Sequence, residues 1–195
     1  LQPEYINSWE AGYQKEFGKN ALSVEAYYRT TLNNIERIRR AYEGDIAGNN
    51  NNLVLRTFEN VGKDFSLGTE IMLNTKPLKF WESDLTGNFY NYRVKGQLND
   101  VRFDESSFTW ELRWNNTFSP FENTRIQLNP AYHSPEIEPQ EKEAGYFDVD
   151  GAIRQSFMDK NLQATLQVRD IFGTARFEST IDEPDFYNYR LYRHQ

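Results

Sequence analysis

The chain has 195 residues, no cysteine and a formal charge of −7, from 22 Lys and Arg against 29 Asp and Glu. The lack of cysteine excludes a disulfide framework, a thiolate metal site and a cysteine nucleophile. The acidic balance argues against nucleic acid as a partner, because phosphate binding requires clustered basic residues. A mean hydropathy of −0.81 excludes a transmembrane helix, but not a transmembrane strand, in which apolar and polar residues alternate.

The first two elements are predicted to form a hairpin. Residues 8–17 place Trp9, Tyr13 and Phe17 on one face and glutamates on the other, and the alternation resumes at residues 22–31 after Gly18-Lys19-Asn20. A period of two predicts strands with one apolar face. The intervening residues favour a tight turn.

The same period continues to the end of the chain and predicts further strands near residues 65–74, 85–94, 108–118, 126–133, 147–157 and 162–169. Pro130 lies inside one of them, and a proline lacks the ladder donor, so we expect a bulge or an irregularity there. The fold class predicted is all-β, an antiparallel up-and-down meander that forms a partial transmembrane β-barrel of about nine or ten strands.

The predicted connections alternate in length. Short turns lie near residues 18–20, 75–80, 119–123 and 158–161, and long polar loops span 33–64, 95–106, 134–144 and 171–185. Short turns therefore lie at one end of the sheet and long loops at the other. Within the first long connection, 22–42 and 53–74 are expected to pair as one hairpin with a flexible tip at 44–52. Its arms of ~70 Å would extend far beyond an apolar band of ~25 Å.

Large aromatic residues flank every short turn: Phe17, Phe80, Trp81, Phe118, Phe121 and Phe157. Aligned across the sheet, they would form a girdle at one membrane interface. The alternative is that aromatic residues fill the core of a soluble β-sandwich. The pattern favours the transmembrane strands. The two hypotheses differ in whether six residues are buried between two packed sheets of one chain: Trp9, Tyr13, Leu22, Val24, Trp110 and Trp114.

One basic cluster is a candidate ligand-binding site. Arg37, Arg39 and Arg40, with Tyr42, would suit an anionic ligand such as a ferric siderophore or lipopolysaccharide phosphates. An extended strand with a solvated charged face explains the same residues equally well.

Other candidate sites are weaker. Asp148 and Asp150 share a strand face and could bridge calcium with further ligands, although solvated charges balanced by arginines are the favoured interpretation. His133 and Ser134 point to opposite faces and cannot form a catalytic dyad. We expect no enzymatic activity, no metal site and no cofactor.

Three motifs resemble the TonB-dependent outer-membrane receptors, and most closely the outer-membrane protein β-barrel family. Leu1-Gln2-Pro3-Glu4, followed by Glu10-Ala11-Gly12, resembles the stretch that opens the C-terminal half of that barrel. Asn60-Val61-Gly62 with Gly68-Thr69-Glu70 is similar to the "N-x-G … G-x-E" strand. The segment from Val168 to Thr174 is similar to the "V-x-N-h-F-N/D" signature before the final strand.

The resemblance implies a barrel of about 22 strands with an N-terminal plug, located in the cell outer membrane, that imports a siderophore, vitamin or oligosaccharide with energy from TonB. Residues 1–195 are then a single segment of that barrel, without the plug and the final strand. The implied partners are outer-membrane lipid or lipopolysaccharide, the protein's own plug, and TonB. Self-association of the segment through its sheet edges is also expected. The alternative function is a soluble β-sandwich carbohydrate-binding module.

Overall fold

A computed structural model describes residues 1–41, 54–98, 101–138, 140–183 and 186–193. Its strands are β1 (Tyr5–Phe17), β2 (Asn20–Ala41), β3 (Val54–Leu78), β4 (Trp81–Leu98), β5 (Val101–Phe121), β6 (Thr124–His133), β7 (Glu136–Ile137), β8 (Lys142–Glu143), β9 (Tyr146–Phe157), β10 (Leu162–Val168), β11 (Arg176–Glu183) and β12 (Phe186–Arg193). The described residues contain no helix long and apolar enough to cross a membrane.

The strands form two sheets. The main sheet has eight antiparallel strands in the order β1-β2-β3-β4-β5-β6-β9-β10, and a second sheet has the order β12-β11-β8-β7. The predicted all-β antiparallel meander is confirmed. Its open main sheet contains eight strands, and the remaining four form a separate sheet, which we call the cap sheet.

The register of the main sheet aligns the apolar residues of all its strands on one face, which we call the outer face. Trp9 lies opposite Tyr28, which lies opposite Leu67, and Ile126 lies opposite Ile153, which lies opposite Leu166. This face is not covered by another sheet: Trp9, Tyr13 and Trp114 are 59%, 61% and 43% exposed. The structure therefore does not favour a β-sandwich, and the opposite, inner face carries the polar residues.

Aromatic side chains cluster at the short-turn end of the outer face, as predicted. Phe17, Phe80, Phe121 and Phe157 are all at least 43% exposed, and Trp81 stacks on Phe118 with 5.7 Å between ring centroids. Two polar side chains lie beneath this layer. The indole N–H groups of Trp81 and Trp114 donate hydrogen bonds to Asn116 and Ser83, respectively. Each indole thus satisfies a buried polar group and presents its apolar ring outward.

The long hairpin of β2 and β3 is confirmed, and it contains two compensating bulges. Asn33, with a φ of 58°, is an extra residue in β2, and Val61 is an extra residue in β3. The bulges reverse the alternation. Odd residues of β2 face inward as far as Thr31, whereas beyond the bulge the inward residues are even-numbered, beginning with Asn34 and Glu36. Arg37 consequently lies on the outer face.

A small apolar core lies on the inner side beyond the bulges. Ile38 and Val61 are each 1% exposed and pack against Phe103. Gly96 makes this close approach possible, because a Cβ at this position would lie 1.5 Å from the carbonyl oxygen of Val61. The core joins β2, β3 and β5 where the hairpin rises above the rest of the sheet.

The N-terminal residues also stabilise the bulged region. The Glu4 carboxylate accepts a hydrogen bond from the backbone N–H of Ile35. The Asn60 side chain bonds both backbone polar groups of Gln2 and donates to the carbonyl of Asn33. Glu4 and Asn60 belong to two different motifs identified in the sequence. The motifs therefore meet at one junction, where β1 begins and the upper part of β2 extends beyond it.

The structure corrects three of the predicted long loops. Residues 95–106 are not a loop, because β4 and β5 continue as a hairpin from Leu98 to Val101. The loops predicted at 134–144 and 171–185 contain strands of the cap sheet. In these segments both faces of the chain are charged, and this pattern indicated loops. A strand that extends into water beyond the apolar band also has two polar faces. The tip predicted at 44–52 lies outside the described residues.

Pro130 interrupts the ladder without a bulge. The β5–β6 pairing passes from Arg113 opposite Ala131 to Asn116 opposite Leu128 with the same register. On its other side Pro130 lies opposite Val149. The position without an N–H donor therefore faces β5. The residue pairs on either side of Pro130 keep the register between β5 and β6.

Candidate functional site

The inner face of the main sheet is a polar, solvated surface. Glu10 pairs with Arg29 at 3.9 Å, and Glu111 lies 2.5 Å from Arg113 and 3.6 Å from the Nδ1 of His133. Their side chains are between 24% and 60% exposed. Charged pairs of this exposure contribute little to stability. Their arrangement suits the lining of an aqueous lumen.

The cap sheet crosses this inner face at the end opposite the short turns. On one side, Gln140 accepts a hydrogen bond from the backbone N–H of Arg39 and donates one to its carbonyl. In the middle, the hydroxyl of Tyr90 donates to Glu136 at 2.8 Å. On the other side, Phe177 packs on Tyr146 with 4.4 Å between centroids. The cap sheet thus spans the main sheet from β2 to β9.

One carboxylate connects the cap to the long hairpin. Glu141 is 8% exposed and forms ion pairs with Arg39, at 3.2 Å, and with Arg190 of β12. Burial raises the pKa of Glu141, but Ser179, Arg190 and Arg39 together outweigh burial and hold the pKa below the usual 4.5. The carboxylate therefore remains ionised and binds β2 and β12 at once.

Further carboxyl groups surround this contact. Burial, with the charges of Glu143 and Glu36, raises the pKa of Glu138 to about 7. Burial also raises the pKa of Glu36 and that of Glu143. The attachment of the cap therefore combines one strong ionic contact with several mutually repelling acids. Among the described residues, no group of three or more His, Asp or Glu side chains is arranged to hold a metal ion.

A cavity of about 340 Å³ lies beneath the cap on the β9 side. Its walls include His133 and Tyr146, whose rings stack with 4.4 Å between centroids, and charged residues of both signs: Arg113, Arg169, Asp148, Asp150 and Asp170. A cavity with this lining suits a polar ligand that can form hydrogen bonds with both carboxylates and guanidinium groups.

One of the two aspartates considered for calcium, Asp150, contributes to a turn. Asp150 accepts a hydrogen bond from the backbone N–H of Asp170. The Asp170 carboxylate in turn accepts from the backbone N–H groups of Thr174 and Ala175. Asp170 has a φ of 44°, so the motif from Val168 to Thr174 forms a side-chain-capped turn. This turn directs the chain from the main sheet into the cap.

The predicted arginine cluster lies on the upper part of β2, and its role in ligand binding stays a prediction. Arg37 lies on the outer face over the ring of Phe58, 5.5 Å from its centroid, whereas Arg39 is committed to the cap through Glu141. The backbone of Arg40 pairs with Leu55, and Tyr42 lies outside the described residues. Arg37 and Arg39 nevertheless both line a small cavity at the β2 side of the cap, together with Glu138, Gln140 and Glu141.

The cap contacts were missed by sequence reasoning. The segment from Glu136 to Glu143 has glutamates at alternate positions on either side of Pro139, which is a signal for two short strands. Its high charge favoured a loop. Pairing of Glu141 with Arg190, 49 residues later, depends on the folded topology and has no local signal.

The architecture defines a class of protein. The main sheet is an open antiparallel meander that has an exposed apolar outer face, a polar inner face and an aromatic rim. These are the features of the wall of a transmembrane β-barrel. A sequence model of the outer membrane protein beta-barrel family matches residues 1–195, and the chain belongs to this family. No curated protein and no solved structure was found that matches the chain. Membership in the family places the protein in the outer membrane.

Proposed function

We propose that the protein is part of a TonB-dependent receptor that imports a scarce nutrient, and that this segment supplies barrel wall and extracellular loops. The observation that carries the proposal is the cap sheet over a polar inner face. A passive pore needs an open aqueous path, whereas an energised importer must retain its ligand and close the path. The motif resemblance supports the same function, because Glu4 and Asn60 occupy the structural junction that holds the long hairpin.

The ligand-binding surface that we propose is the inner face beneath the cap, and ligand contact by the arginine cluster predicted from sequence stays a second prediction. The cavity of about 340 Å³ can accept a polar molecule or part of a larger one. Its lining of hydrogen-bonding and stacking groups fits a siderophore, a vitamin or an oligosaccharide. In this proposal the residues bind and orient the ligand and perform no bond chemistry.

The two edge strands of the main sheet require further strands as pairing partners in a membrane. Among the described strands, β1 and β10 each pair on one side only. In hydrocarbon each unpaired backbone group costs several kcal/mol. We therefore propose that both edges pair with further strands in the membrane, either of the same barrel or, for the segment alone, of a second copy.

The test compares uptake in three bacterial strains: wild type, a strain that lacks this protein, and a strain that lacks TonB. Each is given a panel of labelled ferric siderophores, cobalamin and oligosaccharides. The proposal expects at least one compound whose accumulation is lost in both mutants, while the protein remains in the outer membrane of the TonB mutant. Accumulation that requires the protein but not TonB would contradict it and indicate passive transport.

A further inference from the structure

A second cavity lies on the inner face at the end opposite the cap, beside the turns that join β5 to β6 and β9 to β10. Its volume is about 240 Å³, and we call it the turn-side cavity. Its lining includes two arginines, Arg125 and Arg154, and one acid, Glu122. The turn-side cavity therefore has an excess of positive charge, in a chain whose formal charge is −7.

The two arginines occupy directly opposite positions in the sheet. Arg125 of β6 pairs with Arg154 of β9, and the next pair along the strands is Ile126 with Ile153. Because the isoleucines lie on the outer face, both guanidinium groups project from the inner face. The Cβ atoms of directly opposite residues are about 4.5 to 5.5 Å apart, and like charges in such positions destabilise a sheet. Both guanidinium groups can therefore contact one anion.

The repulsion between the two arginines is not relieved by a carboxylate of the protein. Within the described part of the chain, neither Arg125 nor Arg154 forms an ion pair, and Glu122 contacts neither of them. Glu82 of β4 attracts Arg125 across β5, but the ion pair of Glu82 is with Lys76. A bound anion would supply the missing negative charge.

The other side chains of the turn-side cavity indicate the kind of anion. Ser119, Ser156 and Gln163 place hydroxyl and amide donors beside the arginines, and these side chains form no hydrogen bond with any residue that the structure describes. Together with the N–H groups of two guanidinium groups, these donors outnumber the oxygens of a single carboxylate. A phosphate group offers more oxygens and a second negative charge, and it binds arginine through two parallel hydrogen bonds.

We propose that the turn-side cavity binds the phosphate group of a small soluble molecule, which Arg125 and Arg154 hold together. The short turns of a transmembrane barrel lie on its periplasmic side, so this site is at the periplasmic end of the inner face. The binding requires only that the inner face is solvated. It is independent of the proposed import and of the cap, which contacts the opposite end of the main sheet.

The test is isothermal titration calorimetry on the protein in dodecyl maltoside micelles. Inorganic phosphate, glycerol phosphate and acetate are titrated separately near neutral pH and at the same ionic strength, and acetate represents the carboxylate of a protein side chain. The wild type is expected to bind a phosphate compound at a single site, at least about tenfold more tightly than acetate, and more weakly as salt is added. Acetate that binds as tightly as both phosphate compounds would overturn the proposal.

The two phosphate compounds distinguish the sources of the phosphate group. Equal affinities would assign the phosphate group itself as the ligand, with inorganic phosphate sufficient. Tighter binding of glycerol phosphate would assign a phosphorylated organic solute. Either result supports the site, whereas the absence of binding by both compounds would contradict it.

The decisive variant is Arg125→Gln with Arg154→Gln, and the matched control is Arg29→Gln with Arg93→Gln, because each of these two arginines already pairs with a carboxylate. The first variant is expected to bind phosphate at least about tenfold more weakly, and the control to change the affinity by less than about twofold. An equal loss in both variants would contradict a site at the turn-side cavity.

Urea unfolding in phosphate-free buffer separates binding from folding. The substitution of Arg125 and Arg154 removes a pair of like charges from exposed positions, so this variant is expected to unfold at no lower urea concentration than the wild type. Added phosphate is expected to raise the midpoint of the wild type and not that of the variant. An equal rise in both proteins would contradict the assigned role of the two arginines.

Discussion

Gly96 permits the closest backbone approach in the bulged region. Its position opposite Gly62 leaves no room for a side chain, since a Cβ would lie 1.5 Å from the Val61 carbonyl oxygen and 2.9 Å from the Phe103 ring. Backbone atoms cannot rotate away as a flexible side chain can. The two glycines therefore allow β3 and β4 to stay paired while Val61 turns into the small core.

We predict that Gly96→Ala destabilises the protein by about 1 to 3 kcal/mol, because the added methyl group forces the strands apart at the core. The matched control is Gly12→Ala, where the nearest atoms are 3.9 Å away and the expected change is within about 0.5 kcal/mol. Urea unfolding of the protein in detergent micelles measures both. Equal effects of the two substitutions would contradict the close packing described at Val61.

At the scale of elements, the cap is held by few contacts relative to its size. The main-sheet strands pair along their length, whereas the cap contacts β2 chiefly through Gln140, Glu141 and β12. The free energy of cap release is therefore expected to be far below that of global unfolding. A cap that opens without unfolding the barrel wall is what the proposed importer requires.

We predict that Glu141→Gln weakens cap docking by about 2 kcal/mol, the scale of a hydrogen bond to a charged group, or about 30-fold in the opening equilibrium. The probe is Thr109→Cys, on the inner face and 6% exposed, in a chain without native cysteine. Its labelling rate should rise by that factor. Lys142→Gln, at an exposed cap residue, is the control and should leave the rate unchanged. An unchanged rate in Glu141→Gln would contradict the assigned role.

The docking of the cap should also depend on pH. The pKa of Glu141 is lowered, so its ion pairs contribute fully above pH 4.5 and are lost as the pH falls further. The pKa of Glu138 is raised from 4.5 to about 7, so its ionisation opposes docking increasingly as the pH rises between those values. Part of the Glu138 side chain stays in contact with solvent although the cap desolvates its carboxyl group, so screening keeps the second effect smaller.

Labelling of Thr109→Cys should therefore be slowest near about pH 4.5 to 5 and rise more steeply on the acid side. Dithiodipyridine, which reacts with thiols in acid, is a suitable reagent. Normalising to Ser8→Cys, at an exposed position on β1, removes the intrinsic pH dependence of the reaction. A normalised rate that is flat across this range would show that neither glutamate controls the cap.

At the scale of the whole molecule, the alternation of apolar and polar residues was enough to predict the meander and its two faces. The sequence of each strand is enough to identify its apolar and its polar face. The register of the structure then shows that these faces align across all eight strands of the main sheet. Sequence did not separate loops from strands that extend beyond the apolar band. In residues 95–106 both faces are charged, and only the pairing of Lys95 with Asp104 across β4 and β5 reveals a continued hairpin.

The candidate site was less predictable than the fold. The arginines of β2 form one cluster in sequence, but Arg37 packs over the ring of Phe58, whereas the free edge of β2 brings Arg39 to Gln140 and Glu141 of the cap. The cap itself joins residues from two segments more than 30 residues apart, as in the pairing of Ser179 with Glu143. Such long-range pairing has no short-range signature.

The central claim is that the outer face contacts lipid and the inner face contacts water. Spin labels placed on adjacent residues test it most directly, with Ala26→Cys and Ala164→Cys on the outer face and Glu25→Cys and Thr165→Cys on the inner face. With the protein in lipid bilayers, the outer labels should be relaxed mainly by oxygen and the inner labels mainly by a water-soluble nickel chelate. Nickel relaxation that is equally strong at all four positions would contradict a membrane-spanning wall.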